Sequence, residues 1–182
     1  MDSIIGRVVA TILTLILIGG VGAMAYNGFQ HNRESTLSVG VSSMVQSIQG
    51  AYGNYPTFTG LENMPVTALG SVKNFWGNSS TTVGTAGGLI DPWGNNITVA
   101  SGANPPSGSV NVTASNFVIT DAGTSFDQST CASVALAVGA SALETLIGGQ
   151  MVNAAEGRPV DPAQAAAACN GGGKPISWVF GH

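Results

Sequence analysis

The sequence predicts an α+β protein in which one long N-terminal α-helix packs on the antiparallel β-sheet of a globular head. Three observations support this prediction: a charge-free apolar run at residues 8–30, a one-sided apolar stripe after it, and short strand-like segments beyond residue 88. The apolar run and the stripe are typical of helix, whereas short apolar segments bounded by turn residues are typical of strands. Two cysteines near the C-terminus predict a disulfide-bounded last region of the head.

The apolar run from Val8 to Gln30 contains no Asp, Glu, Lys, Arg or His. A helix of this length spans about 35 Å, which is enough to cross a hydrocarbon core of roughly 30 Å. We therefore predict that residues 1–30 form a transmembrane half of the N-terminal helix. A cleavable signal peptide is the alternative, because an early basic residue followed by an apolar run also describes a secretory leader. We favour a retained helix because the helical pattern continues past the run.

The residues that follow the run repeat their apolar side chains with a helical period. The stripe consists of Leu37, Val41, Met44, Val45, Ile48 and Tyr52, and serines and glutamines occupy the other side. This pattern predicts an amphipathic helix that docks one face on a soluble head. Residues 31–182 are accordingly assigned to the amphipathic half of the helix plus the head, which is close to the common size of one domain. Glycines and a proline predict the end of the helix, at Gly53, Pro56 and Gly60.

The middle of the chain changes from helical to strand-like patterning after residue 88. In order, we predict a short helix at Thr67–Trp76, an exposed loop at 77–88, and strands at 89–90, 97–99, 109–113 and 116–120. The DPWGNN segment at 91–96 is predicted to be a turn between the first two strands. Because short turns join these strands, we expect antiparallel pairing.

The C-terminal part predicts two helices and a last strand. The first helix follows Asp127 and is predicted to continue through Ile147 to a glycine pair at 148–149. The second is predicted to begin at Asp161-Pro162, because Asp suits the N-cap and Pro the first helical position. The last strand is predicted at Pro175–Phe180. Within these segments, Asp121 is interpreted as a turn acid and Glu144 as a solvated helix acid.

The chain has two cysteines, Cys131 and Cys169. An even count in a head that lies outside the cytoplasm favours a disulfide between them. In the chain-entropy model, a loop of this length would stabilise the fold by roughly 4 kcal/mol. We expect no metal site, because His31 and His182 are not at ligand spacing from the cysteines.

The composition disfavours nucleic-acid binding and catalysis. Charged residues make up only 8% of the chain and the net charge is −4, so there is no basic patch for a nucleic acid. With two histidines and no clustered acids, we expect no catalytic residues, no cofactor and no enzymatic activity. The low charge and the 26 glycines suit either a surface covered by neighbouring subunits or an extracellular domain rich in small residues.

The N-terminus carries the charges closest to the apolar run. We predict charge contacts between subunits at the α-amino group of Met1, at Asp2 and at Arg7, since ions in apolar surroundings need partners. Ordinary anchoring at the membrane interface is the alternative.

Three glycines interrupt the middle of the apolar run, and each weakens a helix by about 1 kcal/mol relative to Ala. We predict that the helix unwinds locally after assembly at Gly19, Gly20 and Gly22. Close helix packing through these small residues is the alternative and requires no unwinding.

Four motifs resemble those of one known family. They are YGNYP at 52–56, DPWG at 91–94, NFVITDAG at 116–123 and ACNGGGKPISWVFGH at 168–182. With the N-terminal apolar helix, they make the chain similar to a type IVb pilin, most closely the PilS-type major pilins of typhoid and conjugative (thin) pili. The DPWG motif is also similar to that of the major pseudopilins of type II secretion.

This resemblance implies the type IV pilin fold and a homopolymer of identical subunits with residues 1–30 in the filament core. It implies a precursor in the inner membrane of a Gram-negative bacterium, processing by a prepilin peptidase, and assembly by the pilus machinery. The product would be an extracellular helical filament for adhesion or cell–cell contact, such as conjugative mating-pair stabilisation, with a possible minor pilin at its tip. The alternative is a pseudopilin-like subunit of a periplasmic type II secretion filament.

The chain departs from the family pattern at two places. Pilins usually carry Glu at the fifth mature position, where this chain has Ile5, and Asp2 is the acid that would replace its charge. The sequence also starts without a short basic leader, so either the leader is already removed or Met1 is the initiator. We expect Met1 to be the mature N-terminus, because the apolar run begins where that of a mature pilin begins.

Overall fold

The computed structural model describes residues 28–69, 75, 77–78, 80–103, 107–109, 112–153 and 158–181. The chain divides into two compact units, Met1–Arg33 and Glu34–His182. Within the first unit, residues 28–33 are helical and mostly exposed. Nearly all of the predicted membrane span, residues 8–30, lies outside the described residues. In the ranges given above, no helix is both long enough and apolar enough to cross a membrane.

Helix α1 comprises residues 28–52, and its apolar stripe is buried as the sequence predicts. Leu37, Val41, Met44 and Ile48 are each at most 1% exposed. They belong to one core cluster with the inward side chains of the sheet, and Val45 and Tyr52 pack at its edge. Full burial of an aliphatic side chain contributes about 1.5–3 kcal/mol, so this stripe is a large part of what holds the helix on the head.

The head contains a six-stranded antiparallel sheet with the strand order β1-β2-β3-β6-β4-β5. The strands are β1 Leu89–Ile90, β2 Asn96–Ser101, β3 Asn116–Asp121, β4 Glu144–Ile147, β5 Gln150–Met151 and β6 Ile176–Gly181. The last strand therefore lies in the middle of the sheet, between β3 and β4. Five of its six residues are buried, which agrees with its almost continuous apolar sequence.

Two helices precede the last strand, and both begin as the sequence predicts. Helix α2 spans Gln128–Gly139, and the Asp127 carboxylate caps it by accepting a hydrogen bond from the Thr130 N–H at 2.7 Å. Helix α3 spans Pro162–Ala168, and Asp161 accepts from the N–H of Ala163 at 2.8 Å. A carboxylate at the N-cap satisfies N–H groups that have no partner within the helix.

The prediction that the helix after Asp127 continues to Ile147 is wrong. Helix α2 ends at Gly139, and residues 144–147 form strand β4, which turns back into β5. The turn is Gly148-Gly149, with φ of 58° and 83°, and glycine adopts this left-handed conformation without steric cost. All four residues of β4 are buried between β5 and β6, so tertiary packing outweighs the local helical pattern.

Three other predictions change in the structure. Residues 109, 112 and 113 are not a strand, because Asn116 Oδ1 accepts from the Thr113 N–H and holds a turn there. The loop at 77–88 is not wholly exposed, since Val83 is fully buried and its carbonyl accepts from the Val99 N–H. Of the helix predicted at Thr67–Trp76, the structure has a 3-10 helix at Val66–Leu69, preceded by another at Leu61–Asn63, while residues 70–74 and 76 are outside the described part.

We expect Val41→Ala to destabilise the head by about 2 kcal/mol, because it deletes two buried methyl groups from the interface between α1 and the sheet. Val39→Ala is the matched control, because Val39 lies on the same helix and is 55% exposed. Its effect should stay within about 0.5 kcal/mol. Denaturant unfolding of both variants measures the difference, and equal losses would contradict the assignment of the buried face.

Candidate functional site

The C-terminal part of the head is closed by a disulfide between Cys131 and Cys169, as the sequence predicts. Cys131 lies in the first turn of α2 and Cys169 is the C-cap of α3, with 5.8 Å between their Cα atoms. Both cysteines are fully buried. The bond therefore joins the two helices just before the chain enters the central strand β6.

Hydrogen bonds connect this disulfide-bounded region, residues 131–169, to the rest of the head. Ser133 in α2 donates to the Glu34 carboxylate of α1 at 2.6 Å. Lys174 donates its ammonium to the Ala168 carbonyl at the end of α3 at 2.8 Å. Each bond includes a charged group, which makes it stronger than a neutral one, and the two bonds position α2 and α3 against the remaining elements.

Two acidic residues that the sequence analysis did not connect meet at one end of the sheet. Asp91 follows β1 and is 2% exposed, and Asp121 ends β3 and is fully buried. Asp121 does act as a turn acid, since its Oδ1 accepts from the Gly123 N–H, but it does so in a fully buried position. The interpretation of Glu144 as a solvated helix acid is wrong, because Glu144 lies in β4 and is 1% exposed.

Asn95 joins the two loops that carry these carboxyl groups. Its side-chain amide donates to Asp91 Oδ2 at 2.8 Å, and its Oδ1 accepts from the Ser125 N–H at 2.9 Å and the Thr124 hydroxyl at 3.0 Å. We call Asp91, Asn95 and Asp121 the acidic corner. The polar side chains of this corner are thus held by short-range bonds within and between the loops at 91–96 and 121–126.

The environment of the acidic corner shifts the pKa of Asp121. Burial raises this pKa from 3.8 to about 8, and the charge of Asp91 acts in the same direction. The hydrogen bond from the Gly123 N–H opposes the shift but does not cancel it. A carboxyl group with such a pKa is mainly protonated at neutral pH.

Several residues that the sequence analysis assigned to assembly lie outside the described residues: Met1, Asp2 and Arg7 for charge contacts, and Gly19, Gly20 and Gly22 for local unwinding. Within the described ranges, no group of three His, Cys, Asp or Glu side chains is placed to hold a metal ion. The acidic corner could have been suspected from its position, because Asp91 opens a turn and Asp121 ends a strand. The sequence does not indicate that the two lie side by side.

An amphipathic helix packed on an antiparallel sheet, with a disulfide-bounded C-terminal region, is the arrangement expected of a type IV pilin subunit. The family model described as PilS N terminal matches residues 30–180, and the chain belongs to this family. The resemblance to PilS-type pilins that the sequence motifs suggested is confirmed.

One solved structure that the chain is similar to is the crystal structure of TcpA, a type IV pilin from Vibrio cholerae El Tor biotype. The two are 12% identical, and the match covers 82% of this chain and 99% of that chain with a TM-score of 0.49. The family assignment rests on the family model and not on this likeness. No curated protein matches the chain.

We expect Cys131→Ser to lower the free energy of unfolding of the head by about 2–4 kcal/mol and to reduce the abundance of assembled fibres, because the reduced chain gains conformational entropy when it unfolds. The double variant Cys131→Ser with Cys169→Ser is the control for the unpaired thiol and should lose a similar amount. Denaturant unfolding and electron microscopy of sheared material measure the two effects. Fibres at normal abundance in the single variant would contradict this role of the disulfide.

We expect Gly123→Ala, next to the acidic corner, to lower the stability of the head more than Gly171→Ala does. Both glycines have positive φ, 62° and 87°, so alanine costs about 1–2 kcal/mol at either position. A Cβ at Gly123 would also lie 2.0 Å from the Lys174 carbonyl oxygen, whereas one at Gly171 meets nothing within 4 Å. Thermal unfolding compares the stability of the two variants. Equal losses of stability would show that the close approach of Gly123 to the Lys174 carbonyl does not add to the cost of the substitution.

Proposed function

We propose that this pilin is the major subunit of a type IVb pilus and polymerises through its N-terminal hydrophobic helix into a helical surface filament. The observation that carries the proposal is a difference in apolar patterning between residues 8–30 and the part of α1 that packs on the head. The head uses the apolar stripe of α1 from Leu37 to Ile48, whereas the sequence at residues 8–30 contains no charged side chain and has no polar face at a helical period. Such a run needs either lipid or other helices around it.

The two environments of this run correspond to two stages of the proposed life of the subunit. Residues 1–30 would first span the inner membrane and then enter the filament core, while residues 31–182 would keep the same fold. We infer that a prepilin peptidase and the pilus assembly machinery act between these stages. The family match supports this order, because it identifies the chain as a pilin.

The low charge of the head suits a subunit whose surface meets identical neighbours. Interface cores are depleted of charged residues, and only 8% of this chain is charged. Large apolar side chains also remain exposed on α1 and just after it, at Phe29, Val39 and Tyr55. We propose that identical subunits cover part of this surface in the filament.

We further propose adhesion or cell–cell contact, such as conjugative mating-pair stabilisation, as the role of the filament, with a minor pilin possible at its tip. The disulfide-bounded region supports a filament that works outside the cell, because an extracellular environment maintains disulfides. A pseudopilin-like subunit of a periplasmic type II secretion filament is the competing outcome.

Cryo-electron microscopy of material sheared from cells that produce the chain with its assembly machinery tests the proposal. The expected result is long filaments whose core is a bundle of N-terminal helices surrounded by heads with the fold described above. Retention of the chain in the inner membrane, with no filament outside the cell, would favour the secretion-type alternative and contradict the pilus.

We expect Asp2→Asn to reduce filament yield several-fold while the subunit still inserts into the membrane. The reason is that Asp2 would neutralise the α-amino group of a neighbouring Met1, and an unpaired charge inside an apolar bundle is unfavourable. Asp2→Glu keeps the charge and is the matched control, with yield expected to recover at least in part. Membrane fractionation and quantitation of sheared filaments measure the two steps. An unchanged yield in Asp2→Asn would remove Asp2 from the contact.

A further inference from the structure

The acidic corner places two carboxyl groups together in the interior of the head. Asp91 is 2% exposed and Asp121 is fully buried. The residues opposite Asp121 on the two neighbouring strands are Ile97 on β2 and Ile176 on β6, so the sheet supplies apolar surroundings. Two ionised carboxylates in such a place would repel each other and lack hydration.

The hydrogen bonds of Asp91 identify it as the ionised member of the pair. Its Oδ1 accepts from the N–H groups of Trp93 at 2.9 Å and Asn95 at 2.6 Å. Its Oδ2 accepts from the Asn95 side-chain amide at 2.8 Å. All of these partners are donors, and donors stabilise the charged form of a carboxyl group.

The surroundings of Asp121 favour its neutral form. Its Oδ1 accepts from the Gly123 N–H at 2.8 Å, but its buried Oδ2 has no hydrogen-bond donor in the part of the chain that the structure describes. The negative charge of the neighbouring Asp91 also disfavours an ionised Asp121. A buried carboxylate oxygen without a hydrogen-bond donor is unfavourable, so the surroundings of Oδ2 favour the protonated acid.

We propose that Asp91 and Asp121 hold one proton between them, carried by Asp121, and that this acid–carboxylate pair makes the head most stable at acidic pH and progressively less stable as the pH rises. The proton leaves to solvent when the pair ionises fully. The two loops that meet at the acidic corner then carry two adjacent negative charges.

Other charged groups on the elements around the corner are engaged elsewhere. In the following loop, Asp127 caps helix α2. Lys174, on the loop before β6, donates its ammonium to the Ala168 carbonyl, and Glu34 of α1 accepts from Ser133. Asp91 is the charged side chain that raises the pKa of Asp121, together with burial.

The sign of the pH dependence follows from the direction of this shift. The pKa of Asp121 is about 8 in the folded protein and near 3.8 in the unfolded chain. Between these values the folded state binds more protons than the unfolded state, so stability falls as pH rises. The contribution is complete below about pH 4 and is lost as the pH rises through about 8, and one proton changes the folding constant by at most about tenfold per pH unit.

The test is denaturant unfolding of the full chain in a nonionic detergent, with the disulfide intact, from about pH 5 to pH 9. Tryptophan fluorescence, to which the fully buried Trp178 contributes, reports the unfolding of the head. For the wild-type chain we expect the folding constant to fall by up to about tenfold per unit over the lower part of this range and to level off above about pH 8.

Asp121→Asn should remove this slope, because an amide does not titrate and stays neutral at every pH in the range. Asp127→Asn is the control: the pKa of Asp127 is lowered by its hydrogen bonds to the first turn of α2, so its titration lies below the range and the slope should remain. A wild-type chain without a slope, or an Asp121→Asn variant that keeps it, would overturn the proposal.

Infrared spectroscopy of the wild-type chain provides a measurement that does not depend on a variant that folds. A protonated carboxylic acid has a carbonyl stretch distinct from that of a carboxylate, and we expect this band at neutral pH and its loss at alkaline pH. Its absence at neutral pH would overturn the proposal. So would a rise in the wild-type unfolding midpoint on adding calcium chloride that Asp121→Asn lacks, because a cation and not a proton would then neutralise the pair.

Discussion

The contact between the apolar stripe of α1 and the inner face of the sheet is the interaction on which the rest of the head depends. Leu37, Val41, Met44 and Ile48 lie in the same cluster as the inward side chains of the central strands. Gly40 lets the helix come close to Phe75, whose Cζ would lie 2.5 Å from an added Cβ. Helix α1 covers one face of the sheet, and the strands are apolar on that face. Because the apolar stripe must face the sheet, the rotation of the helix about its axis is fixed. The head therefore packs against one side of α1, along the stripe from Leu37 to Ile48.

The second constraint is that the end of the chain completes the middle of the sheet. Strand β6 pairs with β3 on one side and with β4 on the other. Residues 176–181 therefore join the part of the sheet formed by β1, β2 and β3 to the part formed by β4 and β5. The disulfide at Cys169 anchors the segment just before this strand. Pairing between strands that are distant in sequence costs loop-closure entropy. The disulfide reduces this cost because it restricts the conformations of the unfolded chain. The disulfide-bounded region is thus part of the central structure and not an appendage.

The acidic corner is a buried polar cluster that holds two loops of the head together. Asp91 and Asp121 are inside, where two loops meet at one end of the sheet, and Asn95 links these loops. The Trp93 and Phe126 rings pack edge to face beside them, with centroids 5.2 Å apart. Polar groups in such a position constrain the loops strongly, since each buried donor or acceptor needs a partner. The same requirement makes the corner sensitive to its protonation state.

Local chemistry controls the features that could be predicted correctly from the sequence. These are the apolar stripe of α1, the N-caps at Asp127 and Asp161, the start of α3 at Pro162, the last strand, and the pairing of two cysteines in an exported head. Motifs also identified the family, because they record relatedness and need no geometry. Packing between distant segments determines the β4–β5 hairpin, the strand order and the burial of Asp121. Residues 144–147 fit a helical period, but four buried positions and two partner strands stabilise them more as a strand, and the proximity of Asp91 to Asp121 arises from pairing between distant segments that no local pattern reports.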